Sequence, residues 1–142
     1  MSVIGGIQDF FDGISVLDSS APVWVNYLGD GEPITYSIIP AAGTNIIAEY
    51  LNGSTEREYI FAFQSVEYTI DDATRLSTQE FFEDFAEWLR TQSENGVFPD
   101  LGTGKEVFLI EALNWGVLIE SSESQTGIYQ INCRVEYKQS AD

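Results

Sequence analysis

The sequence predicts an α+β domain, in which an antiparallel-dominated, mixed β-sheet carries two main α-helices on one face. Two segments have apolar residues at helical spacing, and about six or seven shorter runs are rich in β-branched and aromatic residues and are bounded by turns. The 142 residues are 44% hydrophobic and 13% aromatic, which suffices for one core without disulfides or a metal. We therefore expect one domain over residues 1–142.

The beginning of the chain predicts a short helix followed by two strands. The apolar residues at helical spacing are Val3, Ile4, Ile7, Phe10, Phe11 and Ile14, while Gly5, Gly6 and Gly13 weaken this helix. Residues 23–28 form a β-branched and aromatic run, and residues 29–33 are rich in turn formers. Alternation then resumes over residues 34–40 and ends at Pro40, so we expect a strand pair joined by a loop.

The middle of the chain predicts a β-hairpin. Residues 46–51 form one strand, Asn52 and Gly53 supply the turn, and residues 55–70 form a long partner strand. Residues 59–63 are apolar on both faces of that partner. This composition is typical of a central strand, or of a strand whose outer face meets another molecule.

A long amphipathic helix is predicted over residues 78–94. Ser77 and Glu80 match the S-x-x-E capping box, and Asn95 with Gly96 predicts the end of the helix. The apolar stripe consists of Phe81, Phe82, Phe85, Trp88 and Leu89. A loop over residues 99–104 then leads to strands at 107–110 and 115–119, and residues 129–137 alternate as in a strand with one wet face.

The charge of the chain excludes several classes of function. Six basic residues against 23 acidic ones give a formal net charge of −17, whereas nucleic-acid binding needs clustered Lys and Arg. The same deficit disfavours an anionic membrane surface, and no apolar run is long enough to span a bilayer. The first residues do not resemble a signal peptide, so we expect a protein located in the cytoplasm or in a structure assembled there.

Side-chain chemistry gives no catalytic signature, and we expect neither an enzyme nor a cofactor or metal site. The chain has no His, which removes imidazole-based catalysis and His metal sites. Acidic residues occur on both helices and at 71–72, but they lack the spacing of a calcium loop. Residues 102–105 lack the full pattern of a phosphate loop, and Cys133 alternates with apolar neighbours like a small core residue.

Five stretches, spread over nearly the whole chain, resemble one protein family. They are VNYLG at 25–29, YSIIP at 36–40, FFEDFAEWL at 81–89, PDLG at 99–102 and YQINCR at 129–134. They resemble small phage and prophage proteins described as minor capsid proteins, which are similar to the tail terminators of long-tailed phages. These are tail-completion proteins that join the head to the tail.

The resemblance implies a homo-oligomeric ring, commonly a hexamer, that caps the head-proximal end of the tail tube and ends its polymerisation. Its implied partners are the tail-tube protein and a head-completion or neck protein, and its implied location is the tail or neck of the virion, assembled in the bacterial cytoplasm. DNA would pass through such a ring without specific binding. The alternatives are another neck or head-completion connector and a monomeric, carboxylate-based enzyme or ligand-binding module.

Polar connections are where such a scaffold commonly places its contacts. The predicted interface residues are Asn52, Gly53, Ser54, Thr55, Asp71, Asp72, Ser121, Ser122, Glu123 and Ser124, the last four in the connection at 121–126. Glu56 and Glu58 are predicted to face the lumen of the ring. The alternative for each of these residues is an ordinary solvated turn or strand end.

Overall fold

The computed structural model describes residues 2–12, 17, 23–26, 34–41, 45–122 and 125–141. Within them, two helices and a seven-stranded, mostly antiparallel sheet confirm the predicted α+β class. The helices are α1 (Val3–Phe11) and α2 (Asp72–Glu94). The strands are β1 (Val23–Val25), β2 (Thr35–Pro40), β3 (Asn45–Glu49), β4 (Thr55–Tyr68), β5 (Lys105–Ala112), β6 (Val117–Ser121) and β7 (Thr126–Gln139).

Two long antiparallel strands, β4 and β7, form the centre of the sheet. Each has 14 residues, and they pair from Thr55 opposite Gln139 to Tyr68 opposite Thr126. β2 and β3 pair with opposite ends of β4, while β5 and β6 pair with opposite ends of β7. Consequently β3 and β6 lie at opposite edges of the sheet, β3 beside β4 and β6 beside β7, and at opposite ends of these long strands.

The core lies between the two helices and one face of the sheet. In β7, every odd-numbered residue from 127 to 137 is buried on this face, which confirms the predicted alternation. Phe63 of β4 stacks on Phe85 of α2 with ring centroids 4.7 Å apart, and Phe11 of α1 lies 5.5 Å from Phe85. Cys133 is a fully buried core residue, as predicted, and burial raises the pKa of its thiol.

The first two predicted strands do pair, but in parallel. Val23 lies opposite Tyr36 and Val25 opposite Ile38. The first strand ends at Val25, earlier than predicted, because Asn26 adopts a left-handed conformation with a φ of 55°. The predicted turn at 29–33 and the predicted helical residue Ile14 lie outside the described residues, and α1 ends at Phe11.

The second helix begins six residues earlier than predicted, so the capping-box prediction is wrong. Asp71 is the N-cap, and its Oδ1 accepts a 2.8 Å hydrogen bond from the backbone N–H of Thr74. This bond holds the pKa of the Asp71 carboxyl below its ordinary value. Ser77 lies inside α2, because the upstream cap and good helix formers such as Ala73 extend the helix past it.

The end of α2 at Asn95 and Gly96 is confirmed. The N–H of Gly96 donates to the carbonyl of Ser93 at 3.2 Å, and the N–H of Val97 donates to that of Gln92 at 2.9 Å. This pair of bonds satisfies two carbonyls that the helix itself leaves free.

The predicted hairpin between β3 and β4 is confirmed, as is the central position of β4. Gly53 takes the positive φ of the turn, at 91°. The strand predicted at 115–119 is displaced by two residues, because Trp115 lies in a turn and β6 runs from Val117 to Ser121. Residues 102–104 form a turn that leads into β5, in agreement with the prediction.

Candidate protein interface

Apolar side chains are exposed in two separate patches at edges of the sheet. The hairpin patch comprises Ile46, Ile47, Tyr50 and Leu51, and Leu51 is fully exposed. The β6 patch comprises Leu113, Trp115, Val117, Leu118 and Ile119, which are 40–58% exposed. Exposed apolar side chains grouped in this way are typical of surfaces that contact another protein.

The β6 patch is built on an edge strand. Within the described residues β6 pairs with β7 alone, and all five of its residues are exposed. The preceding turn is held by α2, because the amide of Gln79 donates to the carbonyls of Trp115 and Gly116 at 3.1 and 2.8 Å. Gly116 has a φ of 85°, and a Cβ here would lie 2.8 Å from the ring of Phe82. Edge strands are commonly protected by charge or proline, yet three consecutive aliphatic residues are exposed in β6.

The hairpin patch is held rigidly at the other end of the sheet. The backbone N–H of Tyr50 donates to Ser54 and that of Gly53 donates to Tyr50, both at 2.9 Å. Asn52 Oδ1 accepts from the N–H and the hydroxyl of Ser54 at 3.0 and 2.7 Å. Because the turn satisfies its own polar groups, the backbone that carries Leu51 is held in a defined conformation.

The two patches are far apart. β3 pairs with the first residues of β4, whereas β6 pairs with the first residues of β7, which lie at the opposite end of the antiparallel pair. About ten residues of strand separate these two ends, a distance of about 30 Å at the usual rise per residue. One molecule therefore presents two unlike apolar surfaces that cannot contact each other.

A groove of about 540 Å³ adjoins the β6 patch. It runs between α2 and residues 109–115, and Ala86, Ala112 and Leu113 contribute apolar surface to it. There the hydroxyl of Ser93 links α2 to β5, since it donates to the carbonyl of Ile110 at 2.5 Å and accepts from the N–H of Ile110 at 2.9 Å. Ser93 thus covers the edge of β5 at Ile110, whereas the edge of β6 is left exposed.

The sheet face away from the helices, here called the open face, carries charged side chains towards one end and apolar ones such as Ile60 and Val66 further along β4. Its acidic and basic side chains include Glu56, Glu58, Glu106, Glu111, Glu120, Glu136, Arg134 and Lys138. A hydrogen bond from Arg134 to Glu111 raises the pKa of the guanidinium, and the nearby charges of Glu136 and Glu58 add to this effect. Carboxylates outnumber the cations on this face, so its potential is negative.

The structure gives the residues predicted for contacts three different environments. Asn52, Gly53 and Ser54 form the tip of the hairpin beside Leu51, and Thr55 begins β4. Asp71 and Asp72 do not form a loop, because Asp71 caps α2 and Asp72 is its first residue, paired with Arg75. Ser121 ends β6 and Ser122 bonds to Thr126, whereas Glu123 and Ser124 lie outside the described residues.

The two predicted lumen residues lie together on the open face. Glu56 accepts a 2.5 Å hydrogen bond from the hydroxyl of Tyr50, and this bond raises the pKa of that hydroxyl. Glu58 lies opposite Glu136, near the Arg134 guanidinium. Whether these residues line a lumen stays a prediction.

The acidic groupings predicted from the sequence remain dispersed. In the described part of the chain, no three His, Cys, Asp or Glu side chains come close enough together to share a metal ion. Asp9 is exposed on α1, and Glu80, Glu83 and Asp84 are exposed on α2. This arrangement matches solvated helix faces.

The residues that sequence reasoning missed are the exposed apolar ones of the two patches. The available signal of an exposed apolar patch was that residues 112–119 carry no charge. However, an uncharged run is equally compatible with a buried strand. The fold places this run at an edge instead of in the interior.

Comparison of the chain with known protein families and with curated proteins gave no match. The geometry defines an α+β protein with one helix-covered sheet face, one acidic open face and two exposed apolar edges. No helix in the described ranges combines the length and the apolar character that crossing a membrane requires.

Proposed function

We propose that this chain is a structural subunit of a long-tailed phage, which assembles into a ring at the head-proximal end of the tail tube. The ring ends tube polymerisation and provides the surface for joining the tail to the head. The observation that carries this proposal is the presence of two unlike apolar patches at opposite corners of one sheet. When one patch of a copy binds the unlike patch of the next copy, a growing assembly always has one patch of each kind free at its ends. Such an assembly closes into a ring when the rotation between neighbouring copies brings the two ends together.

The charge distribution supports association through these patches. A protein with a net charge of −17 repels its own copies, so contacts between copies are favoured where charge is low or locally balanced. Residues 112–119 and 50–55 are both uncharged, and they include most of the exposed side chains of the two patches. The acidic open face fits a channel that DNA crosses, because like charges oppose adhesion of the genome. A hexamer is the ring size that the family resemblance suggests.

The test is electron microscopy of phage particles that lack this protein, complemented with variants. Particles without it should have overlong tails that are not attached to heads, and the unaltered protein should restore normal particles. Ile119→Asp places a charge in the β6 patch and should fail to restore them. Val97→Asp alters a residue of matched exposure, 49% against 48%, outside both patches and should restore them.

Two other outcomes would redirect or reject the proposal. Tails of normal length that do not join heads would favour the neck-connector alternative, in which the ring contacts the portal side. Normal particles without the protein would reject a role in tail completion.

A further inference from the structure

We propose that the turn of the hairpin patch in one copy docks into the groove between α2 and residues 109–115 of the next copy. This inference rests on the proposed ring and specifies how neighbouring copies contact each other. Leu51 is the apolar side chain that enters, and the groove supplies apolar surface from Ala86, Ala112 and Leu113.

The turn has a backbone fixed by hydrogen bonds, and the groove has room for its apolar side chain. Leu51 is fully exposed at the tip of a turn fixed by four hydrogen bonds, so little backbone entropy is lost when it docks. The groove, which is open to solvent and has a volume of about 540 Å³, is large enough to accept a leucine side chain.

The charge around the turn is locally balanced, whereas the rim of the groove is acidic. Asn52 and Ser54 of the turn lie beside Lys105 and Lys138, two of only six basic residues in the chain, and beside Glu106. The rim of the groove carries Glu87, Glu94 and Glu111, with Arg90 bound to Glu94 at 3.0 Å. Because these two lysines offset the nearby carboxylates, the turn meets the acidic rim with little of the repulsion that the net charge of −17 would otherwise cause.

The occupant of the groove is a second copy and not the same molecule. The turn lies beside Lys105 at the start of β5, whereas the groove lies at its far end. About six residues of strand, or about 20 Å, separate them. Each copy therefore carries one turn and one groove that can be joined only between molecules, which is the condition for a head-to-tail ring.

Cysteine cross-linking tests this contact directly. Leu51→Cys and Leu113→Cys alter exposed side chains, and native Cys133 is fully buried. A mixture of the two single variants, treated with a short bismaleimide, should give a cross-linked dimer that neither variant gives alone. A mixture of Leu51→Cys with Val97→Cys, whose exposure is similar, should give none. The double variant L51C/L113C should give a ladder that ends at the size of the closed ring.

A binding measurement provides the second readout. Leu51→Asp should weaken self-association at least about tenfold without changing Tm, because a fully exposed residue contributes little to folding. Leu51→Met should retain association. Both measurements are made on the full chain, alone and with the tail-tube protein.

The outcomes separate the docking mode from the function. Rings that form without the Leu51–Leu113 cross-link would overturn the docking mode and leave the ring proposal standing. Cross-linking of Leu51→Cys to itself, or of Leu113→Cys to the tube protein, would also overturn the docking mode. A chain that stays monomeric both alone and with the tube protein would overturn the ring itself.

Discussion

The hydroxyl of Ser93 provides a sensitive test of how α2 is attached to the sheet. It forms hydrogen bonds with both the backbone N–H and the backbone carbonyl of Ile110, a fully buried residue. Ser93→Ala leaves two buried backbone groups without their partner, at about 1–3 kcal/mol each. Allowing for partial relaxation, we expect a loss of about 2–4 kcal/mol in the free energy of unfolding. At about 3 °C per kcal/mol for a chain of this size, Tm falls by about 6–12 °C.

The assay is urea unfolding followed by tryptophan fluorescence, with calorimetry for Tm. Thr91→Ala is the control, because the Thr91 hydroxyl is exposed and donates at 3.0 Å to Glu87 of its own helix. We expect this control to change the free energy of unfolding by less than about 0.5 kcal/mol. If Ser93→Ala loses as little free energy of unfolding as the control, the reasoning that the Ser93 hydroxyl attaches α2 to β5 is refuted.

Three further predictions follow from the helix cap, the turn before β6 and the buried thiol. Asp71→Ala should lower Tm by about 3 °C, whereas Ser77→Ala should not. Because the folded pKa of Asp71 lies below its ordinary 3.8, the carboxyl stabilises the fold fully above about pH 4 and loses this effect as pH falls further. Thermal melts of the unaltered protein and of both variants between pH 2 and 7 check this. A difference in Tm between the unaltered protein and Asp71→Ala that does not change with pH would contradict it. Gly116→Ala should cost about 2–4 kcal/mol in urea unfolding, since its φ is 85° and the added Cβ meets Phe82. Cys133 should react with thiol reagents only in denaturant, because it is fully buried and burial raises its pKa; rapid labelling of the native protein would show otherwise.

Local sequence patterns predicted most of the elements because each pattern reports one local environment. The alternation in β7 and the aromatic stripe of α2 reflect one buried face each, and both are confirmed. The start of α2 was missed because Asp71 and Ser77 are both acceptable caps, and local sequence does not decide between them. The parallel pairing of β1 with β2 was also missed, since strand direction depends on a connection that the pattern does not describe.

The candidate interface was harder to predict than the fold. The polar turn at Asn52 and Gly53 was singled out correctly as a position on the surface, but the apolar residues beside it were assigned to strands. Trp115 and Ile119 belong to an uncharged run that is equally suited to a core. Their exposure became evident only once β6 was placed at the edge of the sheet.

By itself, the sequence determined the α+β class, the buried face of each main element, a core without disulfides and a strongly negative charge. Only the tertiary structure decided which strands are edges, and hence that the hairpin patch and the β6 patch are exposed at opposite corners. The physical reason is that burial of an apolar strand depends on its neighbours in the sheet, and those neighbours are chosen by pairing between residues distant in the chain.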